Sequence, residues 1–134
     1  MPEATRTAEV VLDVELDEAG AVHLVLANCG EAVATDIRVK FSRELRGIDE
    51  DTPVSGLPIF QRLGVLRPGR EVRVLWQSAE VLLKAWEEDE EEPFTCTVSW
   101  AERGGRRQSG MYRHDLSVFQ NLPTRAGRRV PTDG

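Results

Sequence analysis

Residues 10–28 read VVLDVELDEAGAVHLVLAN, and apolar residues recur at every second position on both sides of the turn at residues 17–20. Because successive side chains of a β-strand point to opposite faces, each half predicts a strand with one buried face. Gly20 can adopt the positive φ that a tight turn requires. The stretch therefore predicts two antiparallel strands at the start of a β-rich domain.

The same alternation recurs along the rest of the chain. It predicts further strands at residues 37–41, 57–60, 72–76, 94–100 and 111–119. Pro58 confines the strand at residues 57–60 to a sheet edge, because proline has no N–H to donate to a ladder. Turn signals recur every 8–15 residues along the chain. Seven strands at this spacing predict an all-β fold, an immunoglobulin-like two-sheet sandwich.

Residues 78–86 depart from the period of two. Their apolar residues recur at intervals of three and four, which is the stripe of an amphipathic helix, and Ser78 is suited to cap its N-terminus. We expect one short helix that closes one end of the sandwich. Residues 42–56 are rich in charged residues, glycine and proline and predict a long polar connection.

Composition divides the chain into three parts. We expect an N-terminal extension at residues 1–7, the sandwich domain at residues 8–119 and a disordered tail at residues 120–134, where Pro, Gly, Arg and Thr dominate. No apolar stretch approaches the roughly 20 residues that span a bilayer. The first residues show no basic segment followed by an apolar one, which a secretory signal requires. These features predict a cytoplasmic protein.

Two local motifs are similar to those of a known family. Residues 26–32, LANCGEA, are close to a V-x-N-x-G turn, and residues 66–76, LRPGREVRVLW, are close to an L-x-P-G turn that leads into a strand. Both resemble motifs of bacterial immunoglobulin-like domains of the CARDB type, the cell-adhesion-related domain found in bacteria. The resemblance implies a non-catalytic module, often repeated in surface proteins. A module of a larger bacterial surface protein is therefore one alternative for the function.

The two cysteines are not expected to form a disulfide. Cys96 shares the inward face of its strand with Phe94 and Val98, whereas Cys29 lies in the turn after the second strand. Strand phase thus disfavours a bond between them, and thiols in the cytosol stay reduced.

The charge of the chain is unevenly distributed. Residues 1–102 carry 10 Lys/Arg and 21 Asp/Glu, a net charge of −11, and residues 103–134 carry 7 Arg and 2 Asp, a net charge of +5. Together they give the −6 of the whole chain. Nucleic acid is not the expected partner, because phosphate binding requires a clustered positive surface. We expect a protein partner and no membrane.

The sequence contains no G-x-S-x-G elbow, P-loop or dinucleotide fingerprint. We therefore expect a non-catalytic protein-interaction or accessory module, not an enzyme, with no cofactor or metal. Its candidate surfaces are two charged patches, one at the end of the helix and one at the last hairpin. The residues of these patches are Trp86, Glu87, Glu88, Asp89, Glu90, Glu91, Glu92, Arg103, Arg106 and Arg107.

Two other kinds of site stay open. The acidic run at residues 87–92, together with His23 and His114, would suit a small-molecule or metal-binding domain. The run lacks the alternating ligands of a calcium loop, however, and His114 is expected to be a hydrogen-bonded sheet histidine. At the last hairpin, Arg113 could join the arginines of the second patch in a small anion-binding site.

Overall fold

The computed structural model describes residues 6–48, 51–88, 93–102 and 105–115. These residues form two antiparallel sheets, in the strand orders β1-β2-β5 and β4-β3-β6-β7. The strands are β1 (Val10–Leu16), β2 (Ala21–Asn28), β3 (Ala34–Phe41), β4 (Leu63–Leu66), β5 (Glu71–Ser78), β6 (Phe94–Ala101) and β7 (Arg107–His114). The predicted all-β, immunoglobulin-like sandwich of seven strands is confirmed.

Side chains from both sheets fill one core between them. In β6 the burial alternates strictly, with Phe94, Cys96, Val98 and Trp100 inside. Trp76 on the facing sheet is completely buried, and its ring meets that of Phe94 edge-on at a centroid distance of 5.6 Å. Each large apolar side chain buried in this way stabilises the fold by about 1.5–3 kcal/mol.

Helix α2 (Ala79–Glu87) lies where the helical period predicts it. The Ser78 hydroxyl accepts a hydrogen bond from the Val81 N–H at 3.2 Å, which is the expected N-terminal cap. Leu82 and Leu83 are buried against the core, whereas Glu80 is exposed. The helix therefore closes one end of the sandwich, as predicted.

The prediction of an edge strand at residues 57–60 is wrong. Helix α1 (Pro58–Gln61) occupies this position, with Pro58 in its first turn. The fixed φ of proline suits the first turn of a helix, where its missing N–H costs nothing. Phe60 is thereby buried against Phe41, with their rings edge-on at 5.3 Å. The edge strand is instead β4, which pairs with β3.

The connection at residues 42–56 is less polar in its structure than in its composition. Leu45 is completely buried, and its backbone N–H donates to the Ser55 hydroxyl at 2.9 Å. The carbonyl of Arg46 accepts a hydrogen bond from Trp76 Nε1 at 2.8 Å. The described part of this segment therefore packs onto the core.

The last strand begins earlier than predicted, at Arg107, and ends at His114. The predicted continuation to residue 119 and the tail at residues 120–134 lie outside the described residues, as do the first five residues of the N-terminal extension. Within the described parts of the chain, no helix is long and apolar enough to cross a membrane.

Asn28 is the buried polar residue that ties the two turn motifs together. Its side chain is 1% exposed, and both of its polar atoms are saturated. Oδ1 accepts from the N–H groups of Glu9 at 3.2 Å and Gly30 at 3.0 Å. Nδ2 donates to the carbonyls of Ala32 at 2.8 Å and Leu66 at 2.9 Å. One side chain thus joins β1, the β2–β3 turn and the end of β4.

Both motif glycines serve the same junction. A Cβ at Gly30 would lie 2.4 Å from the carbonyl oxygen of Thr7, so the two backbones approach too closely for any side chain. Gly69 adopts a φ of +77°, and its N–H donates to the Asn28 carbonyl at 2.8 Å. Backbone and side chain of Asn28 therefore hold both turns at one end of the sandwich.

We expect Asn28→Ala to lower the free energy of unfolding by at least about 3 kcal/mol, since each buried group left unpaired costs roughly 1–3 kcal/mol. The matched control is Thr35→Ala, which removes an exposed hydroxyl hydrogen bond of 3.3 Å to the Ala101 carbonyl. Its effect should stay within about 0.5 kcal/mol. Urea unfolding measures both. Equal effects of the two substitutions would contradict the role given to Asn28.

Candidate functional site

Two side chains of β7 reach across the sandwich and cover the free edge of β1. The Tyr112 hydroxyl donates to the Val10 carbonyl at 3.0 Å, and His114 Nε2 lies 2.9 Å from the Leu12 carbonyl. Gly110 leaves room for this, because a Cβ there would lie 2.6 Å from the Tyr112 hydroxyl. The inward residues of β7 are thus fixed, and the alternate residues face outward.

The outer face of the four-stranded sheet is open to solvent, since no other described part of the chain covers it. Its central strand, β6, contributes short side chains with intermediate exposure. Longer side chains lie on the neighbouring strands β3 and β7, and Met111 on β7 is 71% exposed. The outward positions are Thr35, Asp36, Arg38 and Lys40 on β3, Val65 on β4, Thr95, Thr97, Ser99 and Ala101 on β6, and Arg107, Ser109, Met111 and Arg113 on β7.

This face is basic although the protein is acidic. Its outward strand positions carry four basic residues, Arg38, Lys40, Arg107 and Arg113, against one acidic residue, Asp36. Arg62, just before β4, adds a fifth positive charge through its contact with Asp36. We call this surface, with Arg62, the basic face.

Asp36 occupies a bulge in β3. The register between β3 and β6 shifts between Thr35 and Arg38, and Asp36 takes a left-handed conformation with φ of 47°. Aspartate tolerates this conformation better than most residues. The bulge directs the carboxylate outward, between side chains that come from three different strands or their ends.

Three arginines converge on the Asp36 carboxylate. Arg38 approaches it with Nε at 3.3 Å and Nη2 at 3.1 Å. Arg62 Nε lies 3.0 Å from Oδ1, and Arg107 Nη1 lies 2.9 Å from Oδ2. Arg107 Nη2 also donates to the Asp36 carbonyl at 3.1 Å and to the Ser99 hydroxyl at 2.9 Å. One carboxylate therefore orients three guanidinium groups and leaves a net charge of +2.

Burial alone would raise the pKa of Asp36, but the hydrogen bond from Arg38 and the charges of Arg38, Arg62 and Arg107 outweigh it and hold the pKa below its usual value. The carboxylate is therefore ionised at neutral pH. The negative charge that attracts the three arginines is therefore present at neutral pH.

The outer face of the three-stranded sheet has the opposite character. Asp13 and Glu15 on β1 and Glu71 on β5 point outward, and Arg73 is the basic residue among them. Arg73 donates to Glu15 at 2.7 Å and lies 3.5 Å from Glu71. The sandwich thus carries negative charge on one sheet and positive charge on the other.

The structure places the described residues of the two predicted patches near opposite ends of β6. Trp86 is half-buried and packs against the core, whereas Glu87 and Glu88 are exposed at the end of α2. Arg106 and Arg107 are exposed at the other end of β6, where Arg107 pairs with Ala101. Asp89, Glu90, Glu91, Glu92 and Arg103 lie outside the described residues.

Sequence reasoning missed most of the basic face. It singled out Arg107 and associated Arg113 with a possible anion site, but it assigned no role to Asp36 or Arg62. The outward phase of Arg38 and Lys40 was the available signal. The three arginines converge on Asp36 because of a β-bulge, which the local sequence pattern does not predict.

The histidines and cysteines do not form a common site. His23 Nδ1 lies 3.7 Å from Asp17 on the three-stranded sheet, whereas His114 is on β7. Both cysteines are free, Cys29 exposed and Cys96 buried, and burial raises the pKa of the Cys96 thiol to about 12. Among the described residues, no group of three or more His, Cys, Asp or Glu could hold a metal ion.

A cleft of about 360 Å³ opens between β3 and the segment that follows it. Val39 and Phe41 form its apolar side, and Arg43, Glu44 and Ser55 contribute polar groups. Arg43 lies 5.8 Å from the centre of the Phe94 ring and donates to the Glu44 carbonyl at 3.1 Å. The volume falls near the lower limit for a small-molecule site, about 300–1,000 Å³.

The order of the strands in the two sheets defines an immunoglobulin-like β-sandwich domain. Over residues 2–120 the sequence matches a family described as a domain of unknown function, DUF8453, and the chain belongs to this family. No curated protein matches the sequence.

We expect stability to fall with acid through His114. Burial lowers the pKa of His114 below 6.5, only partly offset by its bond to Leu12 and the charge of Asp13. Because the folded pKa is depressed, the unfolded state binds more protons, and stability declines as the pH falls from about 6.5 towards the folded pKa. Urea unfolding between neutral and mildly acidic pH should show a shallower decline for His114→Gln than for the wild type. Equal slopes would contradict the assignment.

Proposed function

We propose that the protein is a non-catalytic interaction or accessory module that binds a protein partner through the basic face. The observation that carries the proposal is that five basic residues and one acidic residue lie on an open sheet face of a chain with net charge −6, and that three of the basic residues contact the acidic one. A face kept only for solubility would ordinarily mix both signs. The opposite sheet has an excess of acidic residues, and there Arg73 lies between Glu15 and Glu71.

An exposed apolar side chain on this face, that of Met111, supports the same proposal. Met111 is the most exposed of the large hydrophobic residues in the described parts of the chain and lies beside Thr97 on the sheet. Methionine adapts to different partner surfaces because it is unbranched and polarizable. An apolar contact surrounded by charged residues is the usual anatomy of a protein–protein interface.

The resemblance to CARDB-type domains supports a non-catalytic role, and a module of a larger bacterial surface protein stays an alternative. The two free thiols are in keeping with a reducing compartment and so with the predicted cytoplasmic location. The small-molecule alternative rests on the cleft beside Phe41 and Arg43. The basic face is favoured over the cleft because its arginines are already held in a fixed arrangement.

The test is affinity capture from lysate of the protein's own source with four forms of the tagged chain. The first is the wild type, and the second is Lys40→Glu/Arg113→Glu, which reverses two exposed charges on the basic face and leaves the Asp36 cluster intact. The third is Arg67→Glu/Arg70→Glu, which makes the same charge change at the exposed β4–β5 turn. The fourth replaces residues 87–92 by serine and glycine.

We expect a stoichiometric partner that the wild type and the Arg67/Arg70 variant retain and that the Lys40/Arg113 variant loses. The binding should weaken as salt is added, because exposed charges are screened. Loss of the partner only in the variant of residues 87–92 would move the surface to the acidic run. Retention by all four forms would contradict binding through either charged surface.

A further inference from the structure

We propose that the ligand of the basic face is an extended acidic segment of the partner's polypeptide chain, lying along β6. This inference rests on the proposed function and names the chemistry of the partner. Two features of the basic face support this inference: the arrangement of short and long side chains around β6 and the spacing of the charges.

Short side chains form the centre of the basic face. Its floor is the outward side of β6, where Thr95, Thr97 and Ser99 are short. In the register, Ser99 lies between Arg38 and Ser109, and Thr97 lies between Lys40 and Met111. Lys40 and Met111 therefore stand on either side of Thr97, whereas Arg107 crosses the floor at Ser99 to reach Asp36. An extended chain fits over Thr95 and Thr97 and meets the Arg107 guanidinium group at one end.

The spacing of the basic residues matches that of an extended ligand. Arg38 and Lys40 are two residues apart on β3, a separation of about 7 Å along the strand. Arg107 and Arg113 are six residues apart on β7, or about 20 Å. An extended chain repeats its side-chain direction with the same period, so carboxylates at alternate positions of about seven residues can meet these charges.

The Asp36 cluster has donors to offer a second carboxylate. A guanidinium group carries five N–H donors in a planar fork that suits bidentate binding of a carboxylate. Asp36 takes the Nε donor and one Nη2 donor of Arg38. Because Asp36 already fixes the direction of Arg38 and Arg107, less side-chain entropy is lost when a ligand binds.

The charge distribution favours a short acidic segment over a long polyanion or a second copy of the chain. The basic face belongs to a chain with net charge −6, so a nucleic acid that extends beyond this face would meet acidic surface and be repelled. A second copy could offer its face with Asp13, Glu15 and Glu71, but Arg73 already engages two of these carboxylates. Such head-to-tail stacking would also join copies into a ring or an open filament.

The test uses fluorescence anisotropy with the full-length chain and a labelled peptide of about nine residues, in which glutamate alternates with threonine and one central glutamate is replaced by leucine. One control peptide has glutamine in place of every glutamate, and a short single-stranded oligonucleotide is a second anionic probe. The protein variants are Lys40→Glu/Arg113→Glu and Arg67→Glu/Arg70→Glu. Lys40→Gln/Arg113→Gln repeats the test without charge reversal should the first variant fold poorly.

We expect the acidic peptide to bind the wild type and the Arg67/Arg70 variant with similar affinity and the Lys40→Glu/Arg113→Glu variant at least about ten-fold more weakly. The glutamine peptide and the oligonucleotide should bind at least about ten-fold more weakly than the acidic peptide.

Absence of peptide binding, equal binding by all folded variants, preference for the oligonucleotide, or self-association of the chain that depends on Lys40 and Arg113 would each overturn the inference. If affinity capture still depends on the basic face while the peptide does not bind, this inference fails and the proposed function stands.

Discussion

The side chain of Asn28 makes four hydrogen bonds while it is almost completely buried, and the arrangement of one end of the sandwich depends on them. A buried amide that lost these partners would cost more than most single contacts contribute. The backbone carbonyl of Asn28 also accepts a hydrogen bond from the Gly69 N–H, and its N–H donates to the Arg70 carbonyl. The turn after β2 and the turn before β5 are thereby fixed relative to each other, although Asn28 and its partner Leu66 are 38 residues apart in the sequence.

This fixed end determines the position of the basic face. β3 begins six residues after Asn28, and its bulge places Asp36 within reach of Arg62 and Arg107. On the other side of the sheet, Tyr112 and His114 hold β7 against β1, so Met111 and Arg113 must face outward. Structural hydrogen bonds on the inner side therefore present an ordered set of charges on the outer side.

Strand alternation and helical period were sufficient to predict the sandwich and the capped helix at Ser78, because both depend on local spacing. They failed at Pro58, where a single helical turn buries Phe60 instead of forming an edge strand. The two periodicities also did not predict that Leu45 lies in the core or that three arginines converge on Asp36. These features arise from contacts between segments that are distant in the sequence, which periodicity does not encode.

The most direct test of the account is nuclear magnetic resonance of the ¹⁵N-labelled chain during titration with the acidic peptide. We predict that the largest amide shifts occur along β3, β6 and β7, at residues such as Arg38, Thr97 and Met111, and that β1, β2 and β5 change little. Shifts concentrated on the three-stranded sheet, at the end of α2 or around the cleft beside Phe41 would contradict the account.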